Sequence, residues 1–380
     1  MAMVARTVML SALIPEGMPT REHFTIAESP APVAENLGDV LLQVLAMSAD
    51  PYLRSGCKTG EVPRPMTGFC AGKVIASKNA DWPVGSLMGV ASAFSTLQVL
   101  SAKALSRTIS WNLSDVITEE QISLGVGVLG MPGATAYGGL IDVLRPKAPK
   151  EGEAGETLFV SAAAGAVGGL VGQIAKTQYN CTVIGSCGGA AKNALIVEKY
   201  GFDKAIDYKS IDSSLPREEQ RAALVAKLRE AAPKTNKGEH GGIDMYFENV
   251  GGIHFEAAME TLNDHGRVAV CGAISEYNYG GNGLTGTAPK NEIKISTMIY
   301  SFQRIEGFVC MPWLSGARGT FLKHMSTWVK AGDIKVEETF FDGVEAWPDA
   351  FAALFKQSKE GGSNTGKVVV RTHDSSKQEL

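Results

Sequence analysis

Residues 161–176 read SAAAGAVGGLVGQIAK, a run of small residues and glycines that joins an apolar stretch, TLFVSA (157–162), to a segment of helical period. In that segment Val167, Leu170, Val171, Ile174 and Ala175 recur at three- and four-residue spacing and fall on one helix face. A strand, a tight turn and a helix leave free backbone N–H groups at the positive end of a helix dipole, an arrangement that holds phosphate. In the dinucleotide fingerprint GxGxxG the first glycine makes the turn, the second admits the pyrophosphate and the third lets helix and strand pack. The aligned residues here are Ala163, Gly165 and Gly168, so the first position carries a methyl group. Such a turn also arises from packing alone. Its strand–turn–helix–strand context favours a dinucleotide, held by Ala164, Gly165, Ala166, Val167 and Gly168.

Outward from the loop, short apolar runs alternate with helical patterns. CTVIGS (181–186), KAIDY (204–208), GIDMYFENV (242–250), GRVAVCGAI (266–274) and KISTMIYSF (294–302) read as further strands. REEQRAALVAKLREAA and IHFEAAMETLND read as helices between them. This is the pattern of βαβ units around a parallel sheet. Residues 1–129 are instead rich in Pro and Gly, with short alternating strands such as DVLLQVLAM and GKVIA, and read as a β-rich, barrel-like domain. GARGTFLKHMSTWVKAGDI is an amphipathic helix, and the closing GKVVVR is a strand outside the alternation. The expected division is therefore a dinucleotide-binding domain over 130–317, with 1–129 and 318–380 forming the β-rich domain. The polar segment KAPKEGEAGE (147–156) reads as a surface loop ahead of the first sheet strand.

Bulk properties narrow the function. Across 380 residues, 36 Lys and Arg oppose 40 Asp and Glu, a net charge of −4 that gives no footprint for a nucleic-acid backbone. No window approaches the about 18 uninterrupted apolar residues of a membrane span. The short apolar run near the N-terminus reads as a first strand rather than a targeting segment, and the terminal KQEL, like a retention signal with one position changed, reads as a polar end. Six cysteines (Cys57, Cys70, Cys181, Cys187, Cys271, Cys310) show neither CxxC pairs nor a disulfide framework, and a reducing cytoplasmic setting is expected. No HExxH or Cys/His cluster has zinc-ligand spacing, so no metal is expected.

Cofactor identity turns on the end of the second sheet strand, where an NAD site carries an acid for the ribose 2′-hydroxyl. From Gly169 to Val197 there is no Asp or Glu, and the segment offers GSCGGAAK with Lys192 at the start of a helix. A cation there meets a 2′-phosphate. One charge-assisted contact is worth roughly 1.5–3 kcal/mol, enough for about 10- to 100-fold preference for NADP(H).

Several motifs now point to one family. SADPYLR (48–54), GMPGATAYGGL (130–140), VSAAAGAVGGLVGQIAK (160–176), YGFDKAIDYK (200–209), IDMYFENVGG (243–252), GRVAVCGAISEYN (266–278) and NTGKVVV (364–370) occur in the family's order from end to end. Together they resemble the zinc-free medium-chain dehydrogenase/reductases, and within them the NADPH-dependent alkenal double-bond reductases and prostaglandin/leukotriene reductases. The resemblance implies a GroES-like β-rich barrel domain plus a Rossmann doubly wound parallel-sheet domain, and a homodimer formed through an edge strand such as KISTMIYSF. It implies that Lys192 and Tyr208 contact the adenosine phosphate end of NADPH. Asn249, Cys271, Gly272, Ala273, Ile274 and Ser275, with Phe308, Val309, Cys310 and Asn364, would surround the rest of the cofactor. The family's two tyrosines of chemical interest fall at Tyr277 and Tyr52. Where zinc-dependent members carry a GHE segment, this chain reads TGFCAG (67–72). Leu53 replaces the family's Met, and EGFVCMPW (306–313) lacks an Asp or Tyr found in many relatives, so the pocket wall differs.

The chemistry expected is hydride transfer from NADPH to the β-carbon of an α,β-unsaturated aldehyde or ketone, with negative charge developing on the carbonyl oxygen. A tyrosine hydroxyl, neutral near pH 7, is a suitable donor to that oxygen. Tyr277 is the first candidate for it, and Tyr52 the candidate for shaping the substrate pocket. Two other functions are consistent with the same residues: a zinc-free NADPH quinone oxidoreductase, and a non-catalytic NADPH-binding protein.

Overall fold

The computed structural model describes residues 3–149, 155–233, 241–281, 286–356 and 364–372; the KQEL tail and part of the 147–156 loop lie outside them. A six-stranded sheet runs in the order Lys204–Asp207, Thr182–Cys187, Thr157–Ser161, Ile243–Glu248, Leu262–Val270, Arg304–Gly307, every pair parallel. All five residues of Thr157–Ser161 are buried, as a strand covered by helices on both faces requires. Strand order reverses between Thr157–Ser161 and Ile243–Glu248, and at such a switch point a crevice opens outside the carboxyl ends of the strands. The helix Gly168–Tyr179 buries Leu170, Val171, Ile174 and Ala175, the face expected from its period. Its glycines also serve packing: a Cβ on Gly172 would lie 2.0 Å from the Phe202 ring.

One expected strand is absent. Residues Ile295–Tyr300 form a short helix, and the sixth strand is Arg304–Gly307, paired with Leu262–Val270. Ile295, Ile299, Tyr300 and Phe302 point outward at 68%, 63%, 81% and 68% exposure. An apolar run of this length has no period that separates strand from helix, and Phe302, at φ 53, turns the chain between the two elements.

The β-rich domain contains a seven-stranded sheet in which Val40–Ser48 is central. It pairs with Thr67–Ser77 and Leu97–Leu100, and with the returning strand Lys367–Arg371. A second sheet joins Val4–Leu10, Phe24–Pro30 and Arg64–Pro65. Between them lies an aromatic core in which the fully buried Trp347 contacts Phe24, Phe94 and Phe351. The amphipathic helix forms at Phe321–Ala331, but it packs on Met131–Gly138 through Tyr137, whose hydroxyl lies 2.8 Å from His324 Nδ1. The chain therefore rejoins the β-rich domain at Glu338–Asp342, later than the expected 318. Among the described residues no single helix is long and apolar enough to cross a membrane.

The two domains meet where the returning strand begins. Gly366 donates its N–H to Ala164 O at 2.8 Å and bridges Gly165, so the glycine loop is stitched to the β-rich domain. Gly366 has φ +62, and a Cβ there would lie 1.9 Å from Glu337 O. Gly366→Ala therefore combines left-handed strain with a backbone clash and should cost about 3 kcal/mol. The urea midpoint checks this; an unchanged midpoint would show that the junction adapts freely.

Candidate active site

At the glycine loop Ser161 ends the first strand and Ala162 turns the chain with φ 50, a conformation usually left to glycine. Gly165 N–H closes the turn on Ala162 O at 2.9 Å. A Cβ on Gly168 would come within 2.5 Å of Ala162 O, which explains the third glycine of the fingerprint. The first is not needed at Ala163, whose buried methyl packs beneath the loop while Ala162 takes the strained angle. Ala164 is buried, and Gly165, Ala166 and Val167 remain half-buried at the helix start, where their backbone can face a phosphate.

Lys192 lies in the helix Ala190–Ala194, beyond the second strand, and is half-buried. Burial lowers its pKa, and nearby Lys209 lowers it further. Lys209 was missed by the sequence reading: its aliphatic stem lies across Gly188, with Cε 2.7 Å from where a Cβ would stand. Its signal was the bare GG at 188–189, which leaves room for a long side chain from the neighbouring strand end. The acid of that strand end, Asp207, accepts N–H groups from Gly189 and Lys209, each at 3.0 Å, and so braces the turn. Tyr208 stands edge-on to His254 with ring centroids 5.2 Å apart, and His254 Nε2 lies 3.1 Å from Ser186 Oγ.

At the switch point the buried Glu248 accepts from Ser161 Oγ at 3.1 Å and from Gly251 N–H at 2.9 Å. Burial raises its pKa against those hydrogen bonds. It shapes the turn that carries Asn249, whose Nδ2 donates to Ser161 O at 2.7 Å. Asn249 O accepts Ile274 N–H at 3.1 Å, and Ser275 Oγ donates to Val250 O at 2.6 Å, so residues 271–275 lie directly against this turn. Phe308 packs edge-on to Phe247, while Val309 is 68% exposed. Asn364 is half-buried, two residues before the Gly366 junction.

The two candidate tyrosines come from different parts of the chain, Tyr52 after the strand Val40–Ser48 and Tyr277 after the strand Leu262–Val270. Tyr277 Oη accepts Ala273 N–H at 3.3 Å, which leaves its own proton to donate. Burial raises its pKa above the usual tyrosine value, so the hydroxyl stays protonated at neutral pH. Tyr52 is 40% exposed, its ring 6.4 Å from that of Phe69; desolvation, then Asp50, raises its pKa. The thiols of Cys310 and Cys271 lie within electrostatic reach of each other, the first also of Tyr52 and the second of Tyr277. Both are held well up, Cys271 to about 12, by burial, and neither is a nucleophile at neutral pH. Among the described residues no group of three His, Cys, Asp or Glu could hold a metal ion.

Sheet order, switch point and glycine loop define a two-domain dehydrogenase/reductase. The model for the N-terminal domain of oxidoreductases matches residues 6–108, and that for zinc-binding dehydrogenases matches 166–310. More narrowly, the chain belongs to the medium-chain dehydrogenase/reductase family that contains the prostaglandin and 2-alkenal reductases. It is 35% identical to prostaglandin reductase 1 of Mus musculus over 94% of this chain and 96% of the relative. It is 35% identical to the NADP(+)-dependent 2-alkenal reductase of Nicotiana tabacum over 89% and 88%. The structure of CurA from Vibrio vulnificus in complex with NADPH superposes with a TM-score of 0.75 at 32% identity, covering 97% of this chain and 99% of that one.

His254 supplies a pH test of the adenosine-side packing. Burial lowers its pKa from 6.5 to about 4. The unfolded chain takes up this proton as pH falls through 6.5 while the folded chain does not, so stability present above 6.5 is lost toward pH 4. The loss reaches about 3 kcal/mol at pH 4. Thermal midpoints across pH 4–7 should fall less steeply for His254→Gln than for the parent, and parallel curves would refute the assignment.

Proposed function

We propose that the protein is an NADPH-dependent reductase of the carbon–carbon double bond of α,β-unsaturated aldehydes and ketones. The observation that carries this reading is Tyr277: a half-buried, neutral hydroxyl whose oxygen is fixed by Ala273 N–H and whose proton remains to donate, at the switch-point crevice. The relatives above, named for prostaglandins and 2-alkenals, support the substrate class.

The residues present fit NADPH. Gly165 and Gly168 leave bare backbone at the helix start for the pyrophosphate, and Lys192 with Lys209 gives the second-strand end the positive charge that a 2′-phosphate needs. When bound, the cofactor supplies a hydride to the β-carbon of the enone. Tyr277 then donates to the carbonyl oxygen and offsets its growing negative charge, a role for which a hydroxyl with a raised pKa is suited because it does not ionise. Tyr52 and Phe69 form the opposite wall and orient the planar enone. The α-carbon takes its proton from solvent at the open side of the cleft.

A homodimer fits the surface as well. Arg304–Gly307 is an open sheet edge, flanked by exposed Ile295, Ile299, Tyr300, Phe302 and Val309, and a second copy would cover both. The apolar patch takes over the part assigned to an edge strand at 294–302. Six free cysteines, five of them buried, suit the reducing cytoplasm.

Tyr277→Phe should lower kcat for a 2-alkenal at saturating NADPH on the order of 100-fold; a kcat within twofold would remove Tyr277 from the chemistry. Lys192→Ala should weaken NADPH binding by about 10- to 100-fold and leave NADH binding unchanged. A substrate panel of enals, enones and quinones decides the class, and faster turnover of the quinone would overturn the reading. Elution of the purified protein at the size of one chain would exclude the dimer.

A further inference from the structure

Arg54 is 0% exposed, yet among the described residues its guanidinium meets no carboxylate. Nε and Nη2 both donate to one carbonyl, Gly17 O, at 3.2 and 2.8 Å, while Nη1 is buried without a hydrogen-bond partner. A buried cation held this sparsely is costly, and a methionine would fill the same space without the penalty. The arrangement therefore needs a reason beyond packing.

That reason lies on the other side of Gly17. Its N–H donates to Asn278 O at 2.7 Å, so one peptide-bonded residue receives Arg54 on its carbonyl and holds the residue after Tyr277 on its amide. Gly17 has φ +86 with open space around it, so glycine is required there by conformation and not by room. A second tie runs in parallel: Lys58 Nζ donates to Tyr279 O at 2.7 Å and to Gly281 O at 2.9 Å. Arg54 itself sits in the helical turn Leu53–Gly56, which begins immediately after Tyr52. Tyr277 packs with Ile274 against the core of the β-rich domain, although its sequence belongs to the other domain.

We propose that Arg54 is a positioning residue that couples the turn bearing Tyr52 to the turn bearing Tyr277 through Gly17, fixing the two tyrosines as facing walls of one cleft. Arg54 is fully buried and acts on the turn through Gly17. Its fork of donors on a single carbonyl sets the angle of the Gly17 peptide, and the Gly17 amide in turn sets the height of the 274–278 turn. The role of Tyr277 as donor rests on the function proposed above; the mechanical coupling does not.

The test uses the full-length protein and reads amide hydrogen exchange by mass spectrometry together with kinetics. Arg54→Lys keeps the charge but cannot span the carbonyl with two donors. Exchange in 271–281 should rise by about tenfold, with 157–161 and 182–187 unchanged. kcat should fall several-fold in the parent, and the same substitution in a Tyr277→Phe background should produce the same exchange response with no further loss of kcat. Exchange unchanged in 271–281 overturns the proposal, as do losses of kcat that multiply independently. If Arg54→Lys loosens every segment, Gly17→Ala decides: it meets no neighbour, strains only the connecting peptide, and should give the same local response. Should Tyr277→Phe leave kcat intact while the exchange response persists, the donor reading fails and the coupling stands.

Discussion

The ion pair between Lys367 and Asp50 is the constraint on which the architecture rests. Lys367 Nζ lies 2.6 Å from Asp50 Oδ1 and donates to Ala49 O at 2.9 Å, with both side chains about 5% exposed or less. Removing one partner of such a pair strands the other charge in the interior at about 3–5 kcal/mol. Its position matters more than its strength. Lys367 follows Gly366, which stitches the glycine loop, and Asp50 precedes Pro51 and Tyr52. One buried contact thus ties the glycine-loop junction to the turn that carries Tyr52.

The site divides by how much motion each part can tolerate. The phosphate end is bare backbone held by sheet and helix, so its geometry is set by φ angles and close packing at Ala162, Gly165 and Gly168. The two candidate tyrosines are instead side chains on turns: Tyr277 after a short 3-10 turn, Tyr52 before a four-residue helical turn. Turns have little internal cohesion, and here they borrow it across the domain boundary from carbonyls and from the β-rich core. Electrostatics follows the same division, with Lys192 and Lys209 beside the GG turn at 188–189, and protonated hydroxyls and thiols, with the carboxyls of Glu248 and Asp50 nearby, around the two tyrosines.

Much of this was legible in the residues, for physical reasons. Apolar strands alternating with 3.6-period helices specify a parallel sheet, and the first five strand segments along the chain form as read. The lack of any acid between Gly169 and Val197 singled out Lys192 as a candidate, because a missing charge is as readable as a present one. Three things were hidden. The run at 294–302 is apolar because it lies on an exposed face beside the sheet edge, which looks the same in sequence as a buried strand. The helix Phe321–Ala331 gave its periodicity but not its partner, since Tyr137 is nearly two hundred residues away, at a separation of 187 from His324. Arg54 and Lys209 reach their sites through contacts with main-chain atoms, which leave no trace in residue identity.

The pairing of Lys367–Arg371 with Val40–Ser48 also has a temporal side. Lys367 and Asp50 are separated by 317 residues, so the end of the central strand waits for a partner made hundreds of residues later. The nucleotide-binding sheet, built between residues 157 and 307 from adjacent βα units, has short loops to close and can assemble in the meantime. Vectorial synthesis would then finish the second domain before the first. During that interval the β-rich sheet presents an unpaired edge at Ala46–Ser48, a stretch open to aggregation until the returning strand covers it.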